Sequence, residues 1–253
     1  MIDTHGHLHD ARYDEDRDAT VARARAAGVT RMLAVGCDLS DSARAIAVAK
    51  RYGIHASIGI HPHEAKDAPG DIGAAFAPLL EDAPVVAIGE TGLDYYYSHS
   101  PRDAQATVLR AQLRFARERA LPVIFHQRDA YDDFVAILRE EFQPGMRGVV
   151  HCFTGNAEQA RALTDGFGLA LGIGGVVTFG NAHGLREAVR RVGIGSIVIE
   201  TDCPYLAPVP VRGKRNEPAF LPYVAAKLAE VLSATVDEIV TATNLNAERL
   251  FRL

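Results

Sequence analysis

Met1-Ile2-Asp3-Thr4-His5-Gly6-His7 opens the chain as an apolar, β-like run ending in two histidines two positions apart. Side chains along a strand alternate faces, so His5 and His7 point the same way from its C-terminal end. Neutral imidazole is the commonest protein metal ligand. The same stretch bears on the fold. A doubly wound open sheet is expected to carry a Gly-rich phosphate loop after an early strand; here His-Gly-His stands in that place.

Working outward, seven further short apolar runs follow: Arg31–Gly36, His55–Ile60, Pro84–Glu90, Leu121–His126, Gly148–Cys152, Gly168–Ile173 and Ser196–Glu200. Their near-continuous apolar character suits strands buried on both faces, as in a parallel sheet. Helix-like stretches alternate with them: Asp14–Ala27, Asp41–Arg51, Gly73–Leu80, Pro101–Ala120, Tyr131–Glu141, Asn156–Asp165 and His183–Val192. Ser40-Asp41 and Ser100-Pro101 read as helix starts, Gly28 and Gly53 as stops. Three more helices, Phe220–Leu232, Val236–Thr243 and Asn246–Phe251, are expected after the last strand. Eight strand–helix repeats specify an α/β fold. Polar clusters end at least six of the runs, and a barrel mouth gathers strand ends that an open sheet would spread. The expectation is therefore a single-domain (β/α)8 TIM barrel over residues 1–253, a size typical of that fold.

Composition narrows the function. A net charge of −5 argues against a strongly basic nucleic-acid binder. It leaves room for an enzyme that meets nucleic acid briefly, through a local patch and metal ions. Cys37, Cys152 and Cys203 are odd in number and scattered, which fits free thiols in a reducing compartment. The chain starts on a strand rather than a signal-peptide pattern, and no apolar run approaches a membrane span, so a cytoplasmic protein is expected. No membrane association and no obligate protein partner are anticipated.

The strand ends carry the chemistry. They supply His5 and His7; His61 and His63; Glu90 and Asp94; His126, Gln127, Arg128 and Asp129; His151 and Cys152; and Glu200, Asp202 and Cys203. This is too many metal-competent side chains for one tetrahedral site. It suits two divalent ions a few ångströms apart, an arrangement used for displacement at phosphorus and for amide hydrolysis. Two cations need an anionic bridge. Lys50, Lys66, Lys214 and Lys227 lie outside the strand ends, so a modified lysine is not expected there and Glu90 takes that place. Asp202, ahead of a stiff Cys203-Pro204, suits a ligand that also accepts a proton from the attacking water. Glu200 shares its face and is read as orienting a ligand. His61 and His63 are read as contacts to substrate or leaving group. Arg128, with Arg212, Lys214 and Arg215 after the last strand, would hold an anionic substrate. His9, His55, His99 and His183 show no partner pattern.

With these residues in place, the chain resembles the TatD family of metal-dependent deoxyribonucleases, in the amidohydrolase-like TIM-barrel group. The motifs that carry the resemblance run end to end: Asp3-Thr4-His5-Gly6-His7-Leu8, Gly59-Ile60-His61-Pro62-His63, Gly89-Glu90-Thr91-Gly92-Leu93-Asp94-Tyr95, His126-Gln127-Arg128-Asp129-Ala130, His151-Cys152-Phe153-Thr154-Gly155, Glu200-Thr201-Asp202-Cys203-Pro204-Tyr205-Leu206-Ala207-Pro208 and Arg212-Gly213-Lys214-Arg215-Asn216-Glu217-Pro218. The resemblance implies one ion on His5, His7, Glu90 and Asp202, a second on Glu90, His126 and His151, and His61 in the catalytic mouth. It implies DNA phosphodiester hydrolysis, often 3′-to-5′ and exonucleolytic, with Mg²⁺ or Mn²⁺. The substrate would be single-stranded DNA or frayed 3′ ends. Gln127 stands where the family usually has Ser or Thr, Cys203 where it has Ser, and His9 where an acidic residue is common. Two rival readings remain: a metal-dependent hydrolase of a lactone, amide or aminoacyl ester, for which Zn²⁺ would also serve, and a non-enzymatic metal sensor.

Overall fold

A computed structural model describes residues 1–81 and 84–253. Among them lie eight strands: β1 (Ile2–Gly6), β2 (Arg31–Val35), β3 (His55–Ile58), β4 (Val85–Asp94), β5 (Val123–Arg128), β6 (Gly148–Val150), β7 (Ala170–Ile173) and β8 (Ile197–Ile199). Each is followed by helix: α1 (Arg17–Ala26), α2 (Leu39–Tyr52), α3 (Ile72–Phe76), α4 (Arg102–Glu118), α5 (Tyr131–Glu141), α6 (Ala157–Phe167), α7 (His183–Val192), then α8 (Leu221–Leu232) and α9 (Val236–Phe251). The strands form one sheet in the order β1 to β8. This is the connectivity of the expected (β/α)8 fold. By contacts the chain divides into two compact units, Met1–Leu33 with Cys152–Leu253, and Ala34–His151. Among the described residues no single helix is long and apolar enough to cross a membrane.

In the unit Ala34–His151, β4 pairs in parallel with β3 and β5, and β5 with β6. The core is aliphatic with a few large rings, among them Ile58, Ile88, Leu109, Phe125 and Phe134. The sequence ends β4 at Glu90, but the strand continues to Asp94. Between Ile88 and Thr91 the register against Val123 and Phe125 slips, placing one extra residue on β4. Such a bulge re-aims a side chain, and here it falls at Glu90. Beyond it, Gly92 sits against the backbone of His126, where an added Cβ would stand 1.8 Å from the carbonyl oxygen at a φ of +152°. Gly92→Ala is expected to destabilise the protein by about 3 kcal/mol or more, through overpacking against an immovable backbone and strain at a glycine-only φ. Urea denaturation measures this; an unchanged midpoint would show that β5 yields here.

Two glutamines of α4 clamp the same strand end. Gln112 accepts from Ile60 N–H at 2.8 Å and donates to Ile60 C=O at 3.0 Å and to Thr91 Oγ1 at 2.5 Å. Two turns earlier, Gln105 accepts from Asp94 N–H at 2.8 Å and donates to its C=O at 3.1 Å. Both lie in the apolar stripe of Val108, Leu109 and Leu113. Polar residues seven apart within such a stripe are the signal that sequence reading passed over.

In the other unit, β7 pairs in parallel with β8, and β1 reaches the chain beyond β8 through Asp202 N–H to His5 C=O at 2.9 Å and His7 N–H to Cys203 C=O at 2.6 Å. Two sequence expectations are corrected. Asp38, not Ser40, caps α2, accepting from Asp41 N–H. The pair of helices expected at Val236–Thr243 and Asn246–Phe251 is the single helix α9. The asparagines that read as a break have tertiary partners. Asn244 Oδ1 accepts from Ile2 N–H at 3.0 Å, and Asn246 Nδ2 donates to Ile194 and Ile197 carbonyls at 2.8 Å. An asparagine so engaged no longer competes for the helix backbone.

Candidate metal centre

The bulged segment of β4, the end of β5 and the residue after β6 converge on one oxygen. Glu90 Oε1 lies 2.8 Å from His126 Nδ1, 2.8 Å from His151 Nε2 and 3.4 Å from His61 Nε2. The carboxyl is almost wholly buried. Burial alone would raise its pKa, but the facing imidazoles of His151, His61 and His126 outweigh that and hold it well below the usual carboxylate range. Two ligand atoms each about 2.1 Å from one cation sit about 3.0 Å apart at right angles and about 3.4 Å apart in a tetrahedron. The separations around Glu90 Oε1 match those edges. Distance alone also groups His61 with Glu90 and His126, a grouping that the hydrogen bonds of His61 narrow.

The hydrogen bonds then sort ligand from donor. His126 Nε2 lies 3.0 Å from Asp94 Oδ2, and His63 Nε2 lies 2.9 Å from the same oxygen. Burial pushes the Asp94 carboxyl up, but the imidazoles of His126 and His63 and the Tyr97 N–H together drive it well below its ordinary value. An ionised carboxylate accepts only, so both Nε2 atoms donate. By the same rule the ionised Glu90 accepts from His126 Nδ1–H, and a cation taking up the Nδ1 lone pair would displace that proton while Nε2–H stays on Asp94. Burial would lower the His126 pKa, yet Asp94 and Glu90 raise it. This is the carboxylate–histidine arrangement that orients metal ligands. His61 differs. Its Nδ1 accepts from His63 N–H at 3.1 Å, capping the 3₁₀ turn Pro62–Asp67, so Nε2 carries the hydrogen. Burial holds its pKa down at about 4. His61 is a neutral donor facing the cluster, with no lone pair left for a cation.

Asp94 was quoted in the sequence motif but given no role; it orients both His126 and His63. Asp94→Asn should weaken divalent-metal affinity roughly 10- to 100-fold, which calorimetric titration of Mn²⁺ into chelator-stripped protein would read. An unchanged affinity would leave Asp94 with a backbone role only. Because His126 has a raised pKa, protons compete with the metal as pH falls through that value, and affinity should decline in the same direction.

The unit containing β1 and β8 brings together the other set. His5 Nε2 and His7 Nε2 stand 3.8 and 3.6 Å from Asp202 Oδ1. Asp3 fixes this register, accepting from Thr201 N–H at 2.9 Å, Thr201 Oγ1 at 2.6 Å and His5 N–H at 3.4 Å. Burial pushes the Asp3 carboxyl up to about 7 against those bonds. Glu200 is buried and accepts from Cys152 N–H at 2.5 Å, holding the turn that follows His151. Cys203 is fully buried, its thiol pushed up to about 12 by burial, and it packs where any side chain at position 6 would stand. Gln127, with its amide oxygen toward α5, accepts from Ala130 and Tyr131 N–H.

The basic residues separate. Both terminal nitrogens of Arg215 are engaged by Asp16, at 2.8 and 2.7 Å, and its guanidinium lies over Tyr13. Arg212 and Lys214 are exposed, Arg212 over Phe179 at 4.1 Å. Arg128 is exposed and sits over the Tyr96 and Tyr97 rings at 4.0 and 4.8 Å. His99, assigned no partner from sequence, lies 4.6 Å from the His63 ring and stacks on Tyr97.

Imidazoles and carboxylates at the strand C-termini of a (β/α)8 connectivity suit a metal-dependent hydrolase. The model of the TatD related DNase family matches residues 2–252, and the chain belongs to that family. It is 44% identical to the "uncharacterized metal-dependent hydrolase YabD" of Bacillus subtilis, over 100% of this chain and 99% of that protein. It is 36% identical to the "3'-5' ssDNA/RNA exonuclease TatD" of Erwinia amylovora, over all of both chains. The crystal structure of YJJV, a TatD homolog from Escherichia coli K12, superposes with a TM-score of 0.93 at 31% identity, covering 100% of this chain and 98% of that one.

Proposed function

We propose that this hydrolase cleaves phosphodiesters of single-stranded DNA, or of frayed 3′ ends, from the 3′ side, using two divalent cations. His5, His7, Glu90 and Asp202 would hold one cation, and Glu90, His126 and His151 the other. The observation that carries the reading is the group around Glu90 Oε1, with His126 Nε2–H held by Asp94. Relatives named as ssDNA/RNA exonucleases support the choice of polymer. Divalent cations there would lower the pKa of a bound water and offset charge on the phosphoryl oxygens. Mg²⁺ or Mn²⁺ suits the carboxylates, and the imidazoles also admit Zn²⁺.

The side chains divide the remaining work. Asp202 accepts the proton of the attacking water and returns it to the leaving oxygen. His61 donates its Nε2–H to a phosphoryl oxygen, since its other nitrogen is taken. His63, tied through Nε2 to Asp94, meets the leaving group with the rest of its ring. Arg128, Arg212 and Lys214 attract the polyanion. Arg215 joins them only as a brace, because Asp16 already occupies its fork.

The deciding measurement is digestion of 5′-labelled single-stranded DNA by chelator-stripped protein restored with Mg²⁺, Mn²⁺ or Zn²⁺. A ladder shortening from the 3′ end, absent without metal, is expected. Metal-dependent turnover of a carboxyl ester, lactone or amide panel with intact DNA would overturn the phosphodiester reading.

A further inference from the structure

We infer that Tyr96, Tyr97 and Arg128 form a stacking platform for the terminal base of a single-stranded nucleic acid whose phosphate lies at the Glu90–His126 group. The inference rests on the phosphodiesterase reading above and adds how the strand is held. Tyr96 and Tyr97 expose 58% and 50% of their surface, unusual for large rings beside a buried polar cluster. They meet edge to face at 4.8 Å, and the Arg128 guanidinium covers both. Exposed aromatic faces combined with an arginine are how proteins hold single strands without reading sequence: the rings stack on bases and the charge answers the backbone.

The platform is held rigidly, and by the residue that serves the metal cluster. Asp94 Oδ1 accepts from Tyr96 N–H at 3.0 Å and Tyr97 N–H at 2.9 Å, while its other oxygen faces His126 and His63. One carboxylate thus fixes the metal-facing imidazole and the two tyrosines together. A continuous series of rings links them. The His126 and His63 centroids are 6.2 Å apart, and His63 and Tyr97 5.5 Å apart. His99 lies parallel to Tyr97 at 5.6 Å. The platform therefore begins one imidazole away from the cluster, within the reach of one nucleotide. A single strand presents an unpaired base face there; a duplex end keeps that face stacked.

The test compares a single-stranded oligonucleotide with one of equal length carrying abasic residues at its three 3′-terminal positions, with Mn²⁺ as the metal. For the unmodified protein, removing the bases should raise KM about tenfold. The Tyr96→Ala, Tyr97→Ala double variant should show that same rise, about tenfold, on the base-bearing strand, with kcat within about twofold and no further penalty from abasic residues. Tyr97→Phe, which keeps the ring, should behave as the unmodified protein. An unchanged KM in the double variant, or an equal rise on both oligonucleotides, overturns the platform while leaving the nuclease reading intact. Failure of the unmodified protein to cut either strand overturns both.

Discussion

Glu90→Gln is expected to lower kcat/KM at least about a thousandfold and to strip divalent metal from the purified protein. The substitution preserves volume and one acceptor oxygen but removes the negative charge on which His126, His151 and His61 converge. That charge is maintained in a nearly dry site, because the imidazoles outweigh the cost of burying it. A cation bound there loses its anionic ligand, and the several kcal/mol of transition-state stabilisation expected from metal catalysis goes with it. Elemental analysis beside steady-state rates separates the alternatives. A variant that keeps both metal and turnover would remove Glu90 from the centre. Circular dichroism should be unchanged, since the strand is held independently by Gln105 and Gln112.

Asp202→Asn is expected to lower kcat by about 10²- to 10⁴-fold while retaining most of the bound metal. Asp202 sits at a φ of +54°, a conformation that Asn adopts as readily as Asp. Its backbone N–H remains bonded to His5 C=O, so the amide variant should keep its place. It keeps an oxygen facing His5 and His7 and loses the capacity to take a proton. The contrast with Glu90→Gln is diagnostic: one variant loses metal and rate together, the other loses rate first. A kcat within tenfold of the unmodified protein would show that the proton goes elsewhere.

Much of this molecule is legible in its sequence. Buried parallel strands must be apolar throughout and bounded by turn residues, and all eight runs became strands, with ends displaced by a few residues. The metal-competent residues were visible for a related reason. A histidine or carboxylate closing an apolar run has no packing role to explain it, as with His126 after Val123-Ile124-Phe125 or Asp202 after Ile197-Val198-Ile199. The roles of Asp94, Gln105 and Gln112 escaped notice because each works through another residue. A second-layer group needs a partner to be recognised, and its partner is distant in the chain.

The sequence by itself therefore determined the order of elements, the α/β class and the identity of the candidate ligands, because these follow from local periodicity and residue chemistry. Only tertiary contact decided which nitrogen of His126 faces Glu90, that His61 keeps its hydrogen, that Arg215 spends its fork on Asp16, and that α9 runs unbroken through Asn244 and Asn246. A hydrogen bond is specified by two atoms a few ångströms apart, and residues such as Asp94 and His126, separated by 31 others, meet only once the strands are paired.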